Sequence, residues 1–238
     1  MELVVYTALF GPKAKPLVEP RWSDPAVPMV CFTDQDLHSP HWQITRMPTE
    51  PDPARANRRL KLLSHLTVAS EWSLYLDSDF VLLTDPRTLL TLGDFVTHHH
   101  RFRTRISDEI KEIIRCRKAD LELITAQVAE YQRQGFDTPS NPQRALGENG
   151  VLLRHHTPEV RALNEAWWAE VQRHSHRDQL SLDFCAWRAN FTLSYWPGTV
   201  ANSPHFYCQE LVRRPRPVRV SPLIHRRAQF YRYAPDRQ

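Results

Sequence analysis

Residues 73–85 read SLYLDSDFVLLTD, in which an apolar, strand-like run ends in two aspartates separated by one serine. Side chains at positions i and i+2 of a strand point the same way, and open α/β sheets bind ligands beyond the carboxyl ends of their strands. Asp77 and Asp79 are therefore predicted to face one crevice, where two hard carboxylates suit Mg²⁺ or Mn²⁺. The alternative for an isolated D-x-D is a solvated turn, since Asp and Ser both favour turns.

Strand-like runs rich in β-branched and aromatic residues alternate with helical patterns along the chain. These runs are 3–9, 29–32, 42–45, 73–76, 94–97, 150–154 and 192–196. Leucines at helical spacing follow between residues 55 and 70, and Thr157 before Pro158 and Glu159 marks the start of another helix. The alternation predicts an α/β protein, a Rossmann-type α/β/α sandwich around a mostly parallel central sheet.

A long charged segment interrupts this alternation. The apolar stripe of residues 107–134 predicts one helix, or a pair broken near Ala119 and Asp120, with Gly135 as its stop. We interpret residues 1–210 as one domain that carries this helical insertion at about 105–135. Residues 211–238 are rich in Arg and Pro, and they form either a solvated extension or a basic flap over a phosphate-bearing substrate.

Composition excludes several classes of protein. A hydrophobic fraction of 41% in 238 residues excludes a disordered polyelectrolyte, and four widely separated cysteines predict reduced thiols. The N-terminal stretch MELVVYTALFGP lacks the basic start and long apolar core of a signal peptide, and no later run is long enough to span a membrane, so we expect a cytoplasmic location. The 31 basic residues include five lysines, which leaves 26 arginines and favours an anionic substrate.

Several short segments, each weak alone, occur in a specific order and spacing. In this combination the chain resembles the TOD1/MUCI70 glycosyltransferase-like family, over nearly all of residues 3–190. The segments that carry the resemblance are YTALFG (6–11), CFTD (31–34), RANRRLKLLSH (55–65), SLYLDSD (73–79), HHHR (98–101), Gln127 with Tyr131, EAWWAEV (165–171) and RDQLSL (177–182).

The resemblance implies a GT-A type fold that uses a nucleotide-sugar donor, with a UDP-sugar as the leading candidate, and a glycan or lipid-linked acceptor. It also implies Mn²⁺ or Mg²⁺ at Asp77 and Asp79, where a cation offsets the charge of the departing diphosphate. A histidine near the C-terminus often completes such a metal shell, and His225 is the first candidate, with His205 the second. Peripheral membrane contact through the basic tail is a further expectation.

The other candidate site residues fall into three groups. Asp178 and Gln179 are the expected catalytic residues beneath the donor sugar, where Asp178 binds sugar hydroxyls, acts as general base or stabilises an oxocarbenium-like centre, unless it only caps a helix. The expected donor-binding residues are Thr7, Asp34, Arg55, Arg58, Lys61 and Asp77. The expected acceptor or sugar contacts are Glu148, Asn149, His98 and Arg101.

The resulting hypothesis is a metal-dependent glycosyltransferase that moves a hexose-type sugar, and three alternatives are weighed against it. The histidine runs 98–100 and 155–156 suggest zinc, but adjacent strand residues point to opposite faces and no H-E-x-x-H accompanies them. A non-catalytic relative that binds sugar nucleotides is the second alternative. A basic nucleic-acid-binding protein that uses the arginine-rich tail is the third, although no recognised motif for it is present.

The basic helix before the D-x-D strand makes a specific geometric prediction. Arg55, Arg58 and Lys61 recur at intervals of three, so Arg55 and Arg58 share a face that can reach phosphates. Lys61 is expected near the margin of that face. The alternative is a basic face that is merely solvated.

Overall fold

The computed structural model describes residues 2–115, 120–143 and 145–209. Within them the chain forms nine strands, and seven of these make one sheet. The strands are β1 Leu3–Leu9, β2 Met29–Thr33, β3 Gln43–Arg46, β4 Trp72–Leu76, β5 Phe80–Leu82, β6 Phe95–His99, β7 Gly147–His155, β8 Ser194–Tyr195 and β9 Phe206–Cys208.

The sheet has the order β3-β2-β1-β4-β7-β6-β8. Neighbours from β3 to β4 are parallel, β7 is antiparallel to both β4 and β6, and β8 is parallel to β6. Six strands therefore point one way, and the predicted α/β fold with a mostly parallel sheet is confirmed. All seven predicted strands belong to this sheet.

Six α-helices connect the strands of the described chain. They are α1 Pro53–Leu62, α2 Ser64–Thr67, α3 Ile106–Arg115, α4 Leu121–Arg133, α5 Pro158–Arg173 and α6 Leu182–Arg188. The Thr157 side chain caps α5 by accepting from the backbone N–H of Val160, as predicted. The charged insertion contains two helices, and the Asp120 carboxylate caps the second of them.

Two hydrophobic clusters cover the two faces of the sheet. One joins Tyr6 and Tyr75 to helix residues that include Trp167, a fully buried side chain of α5. The other joins Leu74 and Leu76 to the short 3₁₀ helix Pro86–Leu92, to β9 and to loops. Strand β4 is buried along its whole length, as expected of a central strand covered on both faces.

A two-stranded ribbon lies beside the D-x-D segment, and the sequence patterns did not predict it. A turn closed by the Phe80 N–H on the Asp77 carbonyl, at 2.9 Å, leads directly from β4 into β5. Strand β5 then pairs antiparallel with β9, with Phe80 opposite Cys208. Residues more than 120 positions apart in the sequence therefore meet at the carboxyl end of β4.

Gly150 is needed where β7 passes this turn. A Cβ at this position would lie 2.6 Å from Cε2 of Phe80 and 3.5 Å from Oδ2 of Asp77. We predict that Gly150→Ala lowers the free energy of unfolding by roughly 1–3 kcal/mol through overpacking, measured by urea denaturation. Adding Phe80→Leu should recover part of the lost free energy of unfolding. Strictly additive effects of the two substitutions in a double-mutant cycle would contradict a direct contact between the new Cβ and the Phe80 ring.

Candidate active site

Two adjoining clefts open beyond the carboxyl ends of the parallel strands. The first, here the β1/β4 cleft, has a volume of about 620 Å³. Its lining consists of residues 8–15 at the end of β1 and in the loop that follows, residues 52–54, 57 and 58, residues 75 and 77–79, and Arg177. The second, here the β4/β6 cleft, has a volume of about 320 Å³ and is lined by residues from the ends of β4 and β6 and the start of β7. Four charged residues line both clefts: Lys15, Arg58, Asp77 and Arg177.

The two aspartates of the D-x-D segment both line the β1/β4 cleft. Asp77 is partly exposed, whereas Asp79, in the turn, is only 3% exposed. Oδ2 of Asp79 lies 2.7 Å from Nζ of Lys15 and 3.2 Å from Sγ of Cys208. Oδ1 of Asp79 is buried and has no hydrogen-bond partner in the described chain. The segment does form a turn, but its second carboxylate is buried instead of solvated.

Lys61 lies at the centre of an ionic network between the clefts. Its side chain is 2% exposed, and Nζ lies 3.3 Å from Oδ1 of Asp77 and 3.0 Å from Oδ2 of Asp178. Nε of Arg58 lies 3.1 Å from the other oxygen of Asp178, Oδ1. The Tyr75 hydroxyl donates to Oδ1 of Asp77 at 3.0 Å. The prediction that Lys61 sits at the margin of the basic face was wrong, because this side of α1 faces the interior.

The Asp178 carboxylate is held in its ionised form by these cations. Burial alone would raise its pKa, but the charges of Arg58 and Lys61 outweigh burial and hold the pKa of Asp178 well below its usual range. A carboxylate with such a low pKa is a weak proton acceptor. The low pKa therefore favours a role for Asp178 in holding the side chains of Arg58 and Lys61 in place, and it argues against the alternative role of general base.

Arg154 fixes the end of the helix that carries Lys61. Its guanidinium, fully buried, donates to the backbone carbonyls of Lys61 at 2.8 Å and Leu62 at 3.1 Å. It also donates to the Tyr6 hydroxyl at 2.7 Å, and that hydroxyl in turn donates to the Lys61 carbonyl at 3.0 Å. These contacts satisfy carbonyls that the last turn of a helix leaves open, with a cation at the negative end of the helix dipole.

Glu148, Asn149 and Arg101 line the β4/β6 cleft. Glu148 Oε1 lies 3.9 Å from a guanidinium nitrogen of Arg101, while its Oε2 is buried without a hydrogen-bond partner among the described residues. Burial raises the pKa of Glu148, and Arg101 offsets part of this effect. Gln179 faces the same cleft and donates to the Gly147 carbonyl at 2.7 Å. Both expected catalytic residues and three of the four expected acceptor contacts therefore line one cavity.

Most of the chain, including much of this site, matches a known protein family. A family model described as TOD1/MUCI70, glycosyltransferase-like domain, matches residues 29–197. The chain belongs to this family. The match covers 169 of the 238 residues and includes the D-x-D strand, the basic helix α1 and the segment around Asp178.

A curated relative from the TOD1/MUCI70 family is the Arabidopsis thaliana protein named probable hexosyltransferase MUCI70. It is 28% identical to this chain over 171 residues. The aligned region covers 64% of this chain and 29% of the relative, so the chain spans less than a third of that protein's length. Among the described residues, every helix is too short or too polar to span a membrane.

Four of the predicted site residues line neither cleft, so the prediction that they contact the donor or the acceptor was wrong for this structure. Thr7 and His98 are fully buried within the sheet, and burial lowers the pKa of His98 to about 3. Arg55 turns to the C-terminal end of α5, where it donates to the carbonyls of Val171 at 2.9 Å and Gln172 at 3.2 Å. Asp34 accepts from the backbone N–H of Gly11 at 3.0 Å, which ties β2 to the loop after β1.

Of the two histidines predicted as third metal ligands, the structure describes only His205. His205 begins the approach to β9, and its Nδ1 contacts the Thr84 hydroxyl at 2.7 Å, so it does not line either cleft. His225 and the arginine-rich segment 211–238 lie outside the described residues.

Sequence reasoning missed several residues that line the clefts. Lys15 follows the YTALFG segment in a loop with a second lysine, and Arg177 directly precedes Asp178. Glu109 of α3 accepts from Nε of Arg103 at 2.6 Å and lies 3.7 Å from Arg177. These contacts connect the helical insertion to the cleft. Charge next to a recognised motif was the available signal for Lys15 and Arg177.

The two D-x-D carboxylates are hard oxygen ligands of the type that binds Mg²⁺ or Mn²⁺. Within residues 2–115, 120–143 and 145–209, no three His, Cys, Asp or Glu side chains are arranged to hold a metal ion. Mg²⁺ and Mn²⁺ do not need such a cluster, because they are often held by one or two carboxylates together with water and substrate phosphates. Asp77 and Asp79 line the same cleft and provide two carboxylates of this kind, Asp77 partly exposed and Asp79 contacted through Oδ2 by the Lys15 ammonium.

We predict that Asp178→Asn destabilises the protein by roughly 3 kcal/mol at pH 7, because two cations lose a buried counter-charge. The folded-state pKa of Asp178 is lowered, so its stabilising contribution is complete above the unfolded pKa of roughly 4 and is lost as pH falls below it. Urea denaturation between pH 3 and 7 should therefore show a shallower acid loss in the variant. Asp108→Asn, which removes a carboxylate from an exposed ion pair, is the matched control and should change the free energy of unfolding little. Equal stability of Asp178→Asn and wild type would contradict the ionic network.

Proposed function

We propose that this protein is a metal-dependent glycosyltransferase that transfers a hexose-type sugar from a nucleotide-sugar donor to a glycan or lipid-linked acceptor. Family membership supports a glycosyltransferase-like activity. The observation that carries the proposal is that Asp77 lines both clefts, with Asp79 beside one and the Lys61–Asp178 pair beside the other. A UDP-sugar remains the leading candidate for the donor, and Mn²⁺ or Mg²⁺ for the cation.

The nucleotide and its diphosphate fit the β1/β4 cleft. This cleft lies beyond the carboxyl ends of β1 and β4, the usual position of nucleotides on open α/β sheets. Lys15, Arg58 and Arg177 line its boundary with the second cleft, where their charges would contact the diphosphate. A divalent cation bound by Asp77 and Asp79 would supply Lewis-acid stabilisation of the departing diphosphate.

The donor sugar and the acceptor fit the β4/β6 cleft. The lining of this cleft contains six basic side chains and five carboxylates, a polar surface suited to sugar hydroxyls. Asp178 holds Arg58 and Lys61 in place and contributes a fixed negative charge near the donor sugar. Gln179 and Asn149 present amide groups to the same space.

Glu148 is the carboxyl group of this cleft that best suits an acceptor-side base. Its raised pKa brings it closer to neutral pH than that of Asp178, and a base works best when its pKa is near the operating pH. Oε2 has no hydrogen-bond partner within the described part of the chain. In this proposal Glu148 accepts the proton of the acceptor hydroxyl, and Arg101, 3.9 Å away, stabilises the ionised form.

A thermal-shift screen tests the proposal. UDP-, GDP-, CMP- and dTDP-sugars are each added with and without Mn²⁺, and selective binding raises the melting temperature by mass action. We predict a Mn²⁺-dependent shift with one nucleotide class, which Asp77→Asn combined with Asp79→Asn abolishes. A folded wild-type protein that responds to no nucleotide would overturn the donor assignment, and an undiminished shift in the double variant would overturn the metal assignment.

Arg58 and Arg55 provide a matched pair on α1. We predict that Arg58→Ala weakens binding of the nucleotide identified by the screen by about ten- to a hundredfold, because a charged contact to phosphate is lost. Arg55→Ala should leave this affinity unchanged and lower only the free energy of unfolding, by roughly 1–2 kcal/mol, because Arg55 contacts the end of α5. Isothermal titration calorimetry measures the affinity, and equal losses in both variants would contradict the assignment.

A further inference from the structure

Lys15 occupies the cleft-facing side of the more buried D-x-D carboxylate. Its ammonium lies 2.7 Å from Oδ2 of Asp79, and the other carboxylate oxygen is buried. Oδ2 is therefore the oxygen through which a cation in the cleft would approach Asp79. An ammonium at this distance and a divalent cation on the same oxygen would repel each other strongly, since like charges at a few ångströms interact unfavourably even near a protein surface.

The side chain of Lys15 can leave Asp79 without a rearrangement of its loop. The backbone there is fixed to the D-x-D turn, because the Ser78 hydroxyl donates to the Lys15 carbonyl at 3.2 Å and the Val18 N–H donates to the Ser78 carbonyl at 2.9 Å. The Lys15 side chain itself is 52% exposed. Rotation of a long, solvated side chain is rapid, whereas movement of the turn would break both of these hydrogen bonds.

We propose that Lys15 holds the place of the divalent cation on Asp79 and moves to the donor's diphosphate when the cation binds. The inference rests on the proposed metal site at Asp77 and Asp79. In the free protein the ammonium balances the charge of a buried carboxylate, which would otherwise be costly to bury. When the cation and the donor are bound, the two positive charges of the cation replace the ammonium at Asp79. The ammonium then lies beside the diphosphate, because Lys15 lines both clefts.

This exchange makes metal and diphosphate binding depend on each other. Binding of Mn²⁺ alone must displace Lys15 and gains nothing from the released ammonium. Binding of Mn²⁺ with a diphosphate gains a new cation–phosphate contact, which offsets the displacement. Lys15 therefore lowers the affinity for Mn²⁺ alone and raises the affinity for the complex of Mn²⁺ with a diphosphate, a coupling between two ligands at one site.

The test measures Mn²⁺ binding by electron paramagnetic resonance of the free ion, on the full chain. We expect Lys15→Met to bind Mn²⁺ about two- to tenfold more tightly than wild type, since a partly exposed ion pair is a weak competitor. Lys15→Arg, which keeps the cation, should bind like wild type. Lys111→Met removes the same charge from an exposed lysine that lines neither cleft, and it should also bind like wild type. The melting temperature of each variant confirms that it is folded.

The second measurement uses the Mn²⁺–pyrophosphate complex, which carries a diphosphate without a nucleotide. We expect Lys15→Met to bind this complex several-fold more weakly than wild type, by calorimetry. Unchanged or weaker Mn²⁺ binding by Lys15→Met, an equal gain in Lys111→Met, or unchanged affinity for the complex overturns the inference. Failure of the wild type itself to bind Mn²⁺, with or without pyrophosphate, overturns the proposed metal site instead, so the two failures are distinguishable.

Discussion

The buried ammonium of Lys61 is the interaction on which the arrangement of the clefts depends. Asp77 and Asp178 balance its charge from two sides, and the three residues come from α1, the end of β4 and the segment after α5. A buried charge that loses a partner is strongly destabilising, so these three elements cannot shift independently. The sheet edge, the basic helix and the segment around Asp178 therefore form one preorganised unit.

The two sides of the site differ in how firmly they are held. Arg154 and Tyr6 fix the end of α1 from below, through contacts that are buried from solvent. Lys15, by contrast, reaches Asp79 from a solvated loop. An enzyme gains from rigid groups where charge develops and from adaptable groups where a ligand must enter. The contrast between buried and exposed cations is consistent with both requirements in one cleft.

Local patterns predicted the strands and helices because the sheet is central and its strands are continuous apolar runs. Local patterns did not predict which side chains are buried. The spacing of Arg55, Arg58 and Lys61 gives their angular positions around the helix, but only the packing of α1 decides which of them is buried. Local patterns also missed β5 and β9, which are three residues each and pair across more than 120 positions. The partners of Asp79 depend on this pairing and on a long loop, so no local signal could identify them.

The ribbon of β5 and β9 also bears on the order in which the protein is made. All seven strands of the sheet are complete once residue 195 has left the ribosome, and domains generally begin to fold from the N-terminal side during synthesis. The thiol of Cys208 and the strand that covers Phe80 follow later. A nascent chain can thus possess all seven strands of the sheet before β9 is available. Among the described residues, the strand that completes the D-x-D turn is therefore the last to be synthesised.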